Sequence, residues 1–216
     1  MNNFEQLYKS IITEAGDITK IGIFPGAFKP PHVGHYTTAL NACKDNDIVY
    51  IYISSKPRAL STQNKAPATG GKDCDGDRYK NMMTSDKYTN NLLSVQPAAC
   101  ARMTSASAMR VAISAKDKNT IFKNLPDGCD KDTIYNILMQ SNDISSDEYG
   151  HVTIQQTLEI WKHYQQLLIS ATGKSNEDIR ILASDITPVR DTYELVDTLN
   201  KSDSARNISV RLYVGT

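Results

Sequence analysis

Apolar residues recur with two different spacings along the chain, and these spacings predict strands and helices in alternation. Two short runs of β-branched and aromatic residues, KIGIF at 20–24 and DIVYIYIS at 47–54, are typical of buried strands. Between them, apolar residues at helical spacing predict a helix over about 33–44. A strand, a helix and a strand in this order form a βαβ unit, which implies a parallel sheet with a right-handed crossover.

The rest of the chain continues this alternation. Five strands that alternate with helices predict a doubly wound α/β fold, a Rossmann-like parallel sheet with helices on both faces in a single domain over residues 17–216. Residues 1–16 are expected to add an amphipathic helix over 3–15, packed on the main body or docked to a partner. The further strands are predicted at LLSVQPA, IRILAS and NISVRLYVG, and the further helices at RMTSASAMRVAIS, DKDTIYNILMQS, TIQQTLEIWKHYQQLL and VRDTYELVDTLN.

Composition and charge restrict the partners that this domain is expected to have. The 216 residues include 24 basic and 24 acidic side chains, so the chain has no general attraction to nucleic acid or to an anionic membrane, and an anion site must be local. The four cysteines lack CxxC spacing, and no leader or membrane-spanning run is recognised, which predicts a cytoplasmic protein with free thiols. No metal site is expected, since the histidines form no finger-like pairs and DCDGD at 73–77 lacks the pattern of a calcium loop.

The segment GIFPGAFKPPHVGHY at 22–36 lies between the first strand and the first helix and contains the candidate chemistry. Its two later glycines permit a tight turn, its prolines stiffen the loop, and the helix that follows should present unsatisfied N–H groups to an anion. His32 and His35 lie three residues apart, so they share a helix face and can both donate to phosphate oxygens, while Lys29 adds a mobile charge. The alternative is that one histidine caps the helix and the other is satisfied in the core.

This segment resembles the signature of the nucleotidylyltransferase superfamily. Every position of the pattern G-x-F-x-P-x-H-x-G-H is matched, by Gly26, Phe28, Pro30, His32, Gly34 and His35. A looser counterpart of a second family motif, I-S-S-T-x-x-R, is TSASAMR at 104–110, where Ser105 and Arg110 match outright. By itself this second pattern is usually an N-capped helix, in which hydroxyls and a guanidinium can also bind phosphates.

The resemblance implies that a phosphate-bearing small molecule attacks the α-phosphate of a nucleoside triphosphate, accepts AMP or CMP, and releases pyrophosphate with Mg²⁺. It also implies catalytic roles for His32 at the α-phosphate, for His35 as a phosphate ligand and for Lys29, which with Arg110 neutralises the outer phosphates. Arg190, where a strand gives way to a helix, is expected to contact the acceptor or to form a surface salt bridge. The residues expected to bind the nucleotide are Phe24, Pro25, Gly26, Ala27, Phe28, Gly34, Asp73, Ser105, Ser107 and Arg110.

The order of the segments differs from that of the bacteriophage members, which the chain resembles most. Residues 145–216 match the middle of the family pattern but stand last in this chain. If they supply that middle, NISVRLYVG must lie in the same parallel sheet as KIGIF, and Thr216 must lie close to Lys72 or Asp73. An artificial segment order and a separate C-terminal module are the alternatives.

Two functions from different classes are consistent with the sequence. The leading hypothesis is an active nucleotidylyltransferase in the cytoplasm, that of the host if the protein is phage-encoded. The alternative is a phage-associated nucleotide-binding or structural protein that keeps this fold with little turnover. The choice between ATP and CTP, the acceptor, and assembly into a homo-oligomer are left open.

Overall fold

A parallel five-stranded sheet organises the chain, as shown by a computed structural model that describes residues 18–54, 82–100, 106–140, 152–184 and 191–215. The strands are β1 (Thr19–Gly26), β2 (Ile48–Ile53), β3 (Ser94–Cys100), β4 (Ile179–Ala183) and β5 (Ile208–Gly215), in the spatial order β3-β5-β1-β2-β4. The helices are α1 (Val33–Asp45), α2 (Asp86–Thr89), α3 (Ala106–Ser114), α4 (Lys118–Lys123), α5 (Lys131–Met139), α6 (Ile154–Thr172) and α7 (Thr192–Asn200), and a short 3-10 turn covers Ala205–Asn207. The predicted doubly wound α/β fold is confirmed.

The strands are buried on both faces because helices cover both. All six residues of β2 are buried, which is why this strand is a continuous apolar run rather than an alternating one. One face of the sheet packs against α1 and α3–α6, and the other packs against α2 and α7. The predicted arrangement with helices on both faces is therefore confirmed.

All crossover connections have the same handedness, so the direction in which the chain moves along the sheet determines the face on which the connecting helix lies. Helices that lead from the β3 side of the sheet toward β4 lie on the α1 face, and α2 and α7, which lead back, lie on the opposite face. A uniform crossover hand requires this segregation.

The C-terminal strand lies beside the first strand, as the prediction about chain order requires. β5 pairs in parallel with β1, with Ile21 opposite Val210 and Ile23 opposite Leu212. If the C-terminal segment were read before β3, the strand order would become 3-2-1-4-5, which is the usual order of doubly wound sheets. Thr216, Lys72 and Asp73 lie outside the described residues, as does the predicted helix over 3–15.

Helix α1 is fixed at both ends, which determines where its first turn lies. At its C-terminal end, the Nδ2 of Asn46 donates to the hydroxyl of Tyr213 on β5 over 2.7 Å. A Cβ on Gly22 of β1 would lie only 2.9 Å from that Nδ2, so the sheet accepts the asparagine because glycine stands there. At its N-terminal end, the backbone N–H of Val33 donates to the carbonyl of Asn124 over 2.8 Å.

Candidate functional site

The loop after β1 depends on the close approach of one aromatic ring to a glycine. Phe28 has a φ of 49°, in the left-handed region that L-residues seldom adopt. Its ring covers Gly26, where a Cβ would lie 2.7 Å from the Phe28 Cε1 atom. Gly26 itself is the last residue of β1 rather than a turn residue, so the expectation of a tight turn at this glycine was wrong. Glycine is needed because the ring leaves no room for a side chain.

Phe24 and Phe28 belong to the core instead of forming a surface for a nucleotide base. Each is 5% exposed, and their rings meet edge to face with centroids 4.9 Å apart. Both also meet the indole of Trp161 on α6, at 6.3 Å and 5.0 Å. Any nucleotide contact by these two residues would have to come from their backbone groups, whereas residues 25–27 between them are only partly buried.

The two histidines form the first turn of α1 together. His32 is the N-cap residue, and its Nδ1 accepts the backbone N–H of Gly34 over 3.1 Å. The Nδ1 of His35 accepts the backbone N–H of His32 over 3.3 Å, so the two caps are reciprocal. Their rings are stacked, with centroids 3.7 Å apart and planes 23° apart. The predicted shared face is confirmed, and the helix-capping alternative is realised at the same residues.

These hydrogen bonds determine which form of each imidazole is present. A ring nitrogen that accepts a backbone N–H carries no proton, so the proton of each neutral ring is on Nε2. Burial lowers the pKa of His32 from 6.5 to about 4. Burial, followed by the neighbouring His32, lowers the pKa of His35 well below 6.5. At pH 7 the pair therefore consists of two uncharged rings, each of which is a hydrogen-bond donor at Nε2.

The N-terminal N–H groups of α1 are less available than the sequence predicted. The N–H of Val33 is used by Asn124, and that of Gly34 is used by His32. The expectation that unsatisfied backbone donors face the anion was therefore wrong for these two groups. The first turn of α1 contains no acidic residue, so the positive end of the helix dipole is not neutralised by a carboxylate within that turn.

Arg110 brings the two sequence motifs together. It lies on α3, is partly buried, and donates from Nη1 to the carbonyl oxygen of Lys29 over 3.1 Å. This bond joins residues 81 positions apart and places a guanidinium beside the loop that leads to the histidines. The lysine side chain, which is partly exposed, belongs to the same loop.

The remaining predicted site residues are distributed as follows. Gly34 is buried in the first turn of α1, and Ser107 belongs to α3. Ser105, Asp73 and Arg190 lie outside the described residues, so their roles stay predictions. Asn124 and Trp161 contribute to this region without having been predicted. Their contacts join segments that are far apart in the chain, and no local sequence pattern indicates them.

The donor set of the described site consists of nitrogen groups and includes no carboxylate. Within the described ranges, no group of three or more histidine, cysteine, aspartate or glutamate side chains is placed to hold a metal ion. No helix in the described part of the chain is long and apolar enough to cross a membrane.

Comparison with known proteins returns no relative of this chain. No protein-family model matches it, and no curated protein and no solved structure matches it.

Proposed function

We propose that the protein is a nucleotidylyltransferase, which transfers AMP or CMP from a nucleoside triphosphate to a phosphate-bearing small molecule and releases pyrophosphate. The observation that supports this most is the reciprocal cap of His32 and His35, which makes both stacked rings Nε2–H donors at the carboxyl end of β1. Ligands of doubly wound folds bind at this end of the sheet. We place the reaction in the cytoplasm.

The histidines would act by hydrogen bonding rather than by charge. Two Nε2–H groups fixed by the backbone can donate to oxygens of the α-phosphate, where negative charge crowds as the acceptor oxygen attacks in line. Because their orientation is set before substrate binds, little reorganisation is needed. The positive charge that opposes the outer phosphates would come from Lys29 and from Arg110, whose guanidinium is bonded to the backbone carbonyl of Lys29.

The triphosphate would arrive as its Mg²⁺ complex, as part of the substrate. Lys29, His32, His35 and Arg110 offer nitrogen groups, whereas Mg²⁺ prefers carboxylate and phosphate oxygens. These residues therefore suit a Mg²⁺ ion that is held by the phosphates of the substrate. The proposed role of the protein is to orient those phosphates.

Two measurements on the intact chain test the proposal. Thermal shift with each nucleoside triphosphate and Mg²⁺ should identify one base preference, since a ligand at 100 times its dissociation constant stabilises by about 2.7 kcal/mol. Pyrophosphate release, with and without phosphorylated acceptors, should then depend on the acceptor and be lost in His32→Ala. No stabilisation by any triphosphate would contradict the proposal.

The second candidate is a nucleotide-fold protein with little turnover, and one observation favours it. His32 is only 4% exposed, and the hydrogen bonds at its Nδ1 and at its backbone N–H serve the helix cap. Triphosphate binding without pyrophosphate release in the presence of any acceptor would select this alternative.

A further inference from the structure

Helix α6 packs against α1 and contributes one large ring to the aromatic cluster around Phe28. Trp161 is fully buried, and its indole meets the ring of Phe28 edge to face, with centroids 5.0 Å apart and planes 70° apart. Tyr164, one turn further along α6, supports the indole at 5.6 Å and the ring of Tyr36 on α1 at 5.8 Å. The helix therefore contacts both the loop that precedes α1, through Phe28, and the first turn region of α1, through Tyr36.

Phe28 connects this helix to the histidines. Its ring meets the imidazole of His35 edge to face, with centroids 5.1 Å apart and planes 79° apart. On another side it covers Gly26, whose missing Cβ provides the space. The ring thus has Gly26, His35 and Trp161 as neighbours, and its backbone is held in the left-handed region. A residue in such a conformation persists when its surroundings determine it from several directions.

We propose that Trp161 is a positioning residue for the histidine pair: its indole holds Phe28 against His35 and so keeps the His35 ring at the angle at which Nδ1 accepts the His32 N–H. The proposal rests on the proposed function for what the pair does, but the contacts themselves do not depend on it. Loss of the indole would free Phe28 to move away from His35. The imidazole could then rotate, and the reciprocal cap would weaken.

If Trp161 had only a structural role, its replacement would lower stability without changing the histidines. A control variant in the same helix therefore separates the two roles. Leu168 lies on the same helix, is also fully buried in the same core cluster, and is about 10 Å further along the helix axis. Leu168→Ala should lower the melting temperature without changing the histidines. Trp161→Leu keeps an apolar side chain but removes the ring, and Trp161→Phe keeps an aromatic edge and folds more readily.

The experiment measures the tautomers of His32 and His35 by NMR of histidine labelled with ¹⁵N in the ring, together with kcat and KM. The wild-type protein and Leu168→Ala should show only the Nε2–H tautomer at both residues. Trp161→Leu should show a tautomer mixture at His35, and Trp161→Phe a smaller admixture. If the protein turns over, kcat should fall about 10- to 100-fold in Trp161→Leu with little change in KM, because misplacement by about 1 Å has costs of that order.

The outcomes separate this inference from the proposed function. Unchanged tautomers in folded Trp161→Leu, or in Trp161→Phe if the leucine variant does not fold, would overturn the positioning role even if the protein is a transferase. A tautomer mixture in a protein that binds no triphosphate would support the positioning role and contradict the proposed function.

Discussion

Helices α1 and α7 both begin at the carboxyl edge of the sheet, but the side chains of their first turns differ in charge. Both helices follow parallel strands of one sheet, β1 and β4, so both begin at the carboxyl edge. Helix α1 is capped by a neutral histidine and has no acidic residue in its first turn. Helix α7 is capped by the carboxylate of Asp191, which accepts the backbone N–H of Glu194 over 2.8 Å, and Glu194 adds a second acid in the first turn.

The difference shows that the first-turn side chains, rather than the helix dipole, distinguish the starts of the two helices. Each helix places a partial positive charge at its start. At α7 two carboxylates offset that charge and would repel a phosphate, whereas at α1 the caps are uncharged donors. Which helix start binds a phosphate is therefore expected to depend on the side chains in its first turn.

Exchange of the cap at α1 should have the largest effect. His32→Ala removes a donor that we propose acts mainly in the transition state, so kcat should fall about 10²- to 10³-fold while triphosphate affinity changes much less. Asp191→Ala is the control, because it also removes a helix cap, at a cost of about 1 kcal/mol in stability, and should leave kcat unchanged. Equal losses of affinity and kcat in His32→Ala would refute the assigned role.

Acid should destabilise the protein through the neutral cap of α1. The folded-state pKa of His32, about 4, lies below the 6.5 of the unfolded chain, so the unfolded chain binds the proton first. The stability contribution is complete above pH 6.5 and is lost as the pH falls toward 4. For His32 alone, roughly 1.6 kcal/mol should be lost between pH 6.5 and 5, because the unfolded histidine is already half protonated at pH 6.5.

Urea unfolding at pH 6.5 and pH 5 measures this loss. His32→Asn keeps a good helix cap and cannot titrate, so its free energy of unfolding should vary less with pH in this window. A wild-type slope in His32→Asn would show that the histidine caps do not titrate as inferred.

Arg110 tests whether the second motif belongs to the α1 edge. Arg110→Ala removes the hydrogen bond to the Lys29 carbonyl and a positive charge beside the loop, so triphosphate affinity should fall by about 1.5–3 kcal/mol, as for hydrogen bonds to charged groups. Arg206, in the 3-10 turn before β5, is a control position at the amino edge of the sheet, and Arg206→Ala should leave affinity unchanged. If affinity is unchanged in Arg110→Ala, the second motif is only the start of a helix.

The sequence predicts the elements of this fold well because most of them carry their own periodicity. The apolar runs of β1 and β2 and the capped apolar pattern of α6 are local signals. Helix α4 was missed because its six residues are too few to show a period, although Asp117 caps it through the N–H of Thr120.

The candidate site was predicted only in part, because some of its contacts are local in the sequence and others are not. The spacing of His32 and His35 is local and led directly to the stacked pair. The burial of Phe28 depends on Trp161, which lies 133 positions further along the chain, and the use of the Val33 N–H depends on Asn124. Contacts of this kind arise from tertiary packing, so single-sequence patterns do not contain them.

The smallest effect is expected when the segments are reordered, and the reordered chain tests whether the segment that contains α7 belongs to the same folded unit as α1. A chain that joins 1–60, 145–216 and 61–144 in this order would read β1, β2, β4, β5 and β3, which converts the sheet to the order 3-2-1-4-5. Every strand pair can be kept, because β5 already pairs with both β1 and β3 and β4 already pairs with β2. Loop-closure entropy changes slowly with loop length, so the free energy of unfolding should change by no more than about 1 kcal/mol. Urea unfolding and triphosphate binding of the reordered chain measure the effect. A reordered chain that fails to fold, or that folds without binding the triphosphate bound by the original chain, would show that the present segment order is required. It would also show that the segment containing α7 cannot take the middle position.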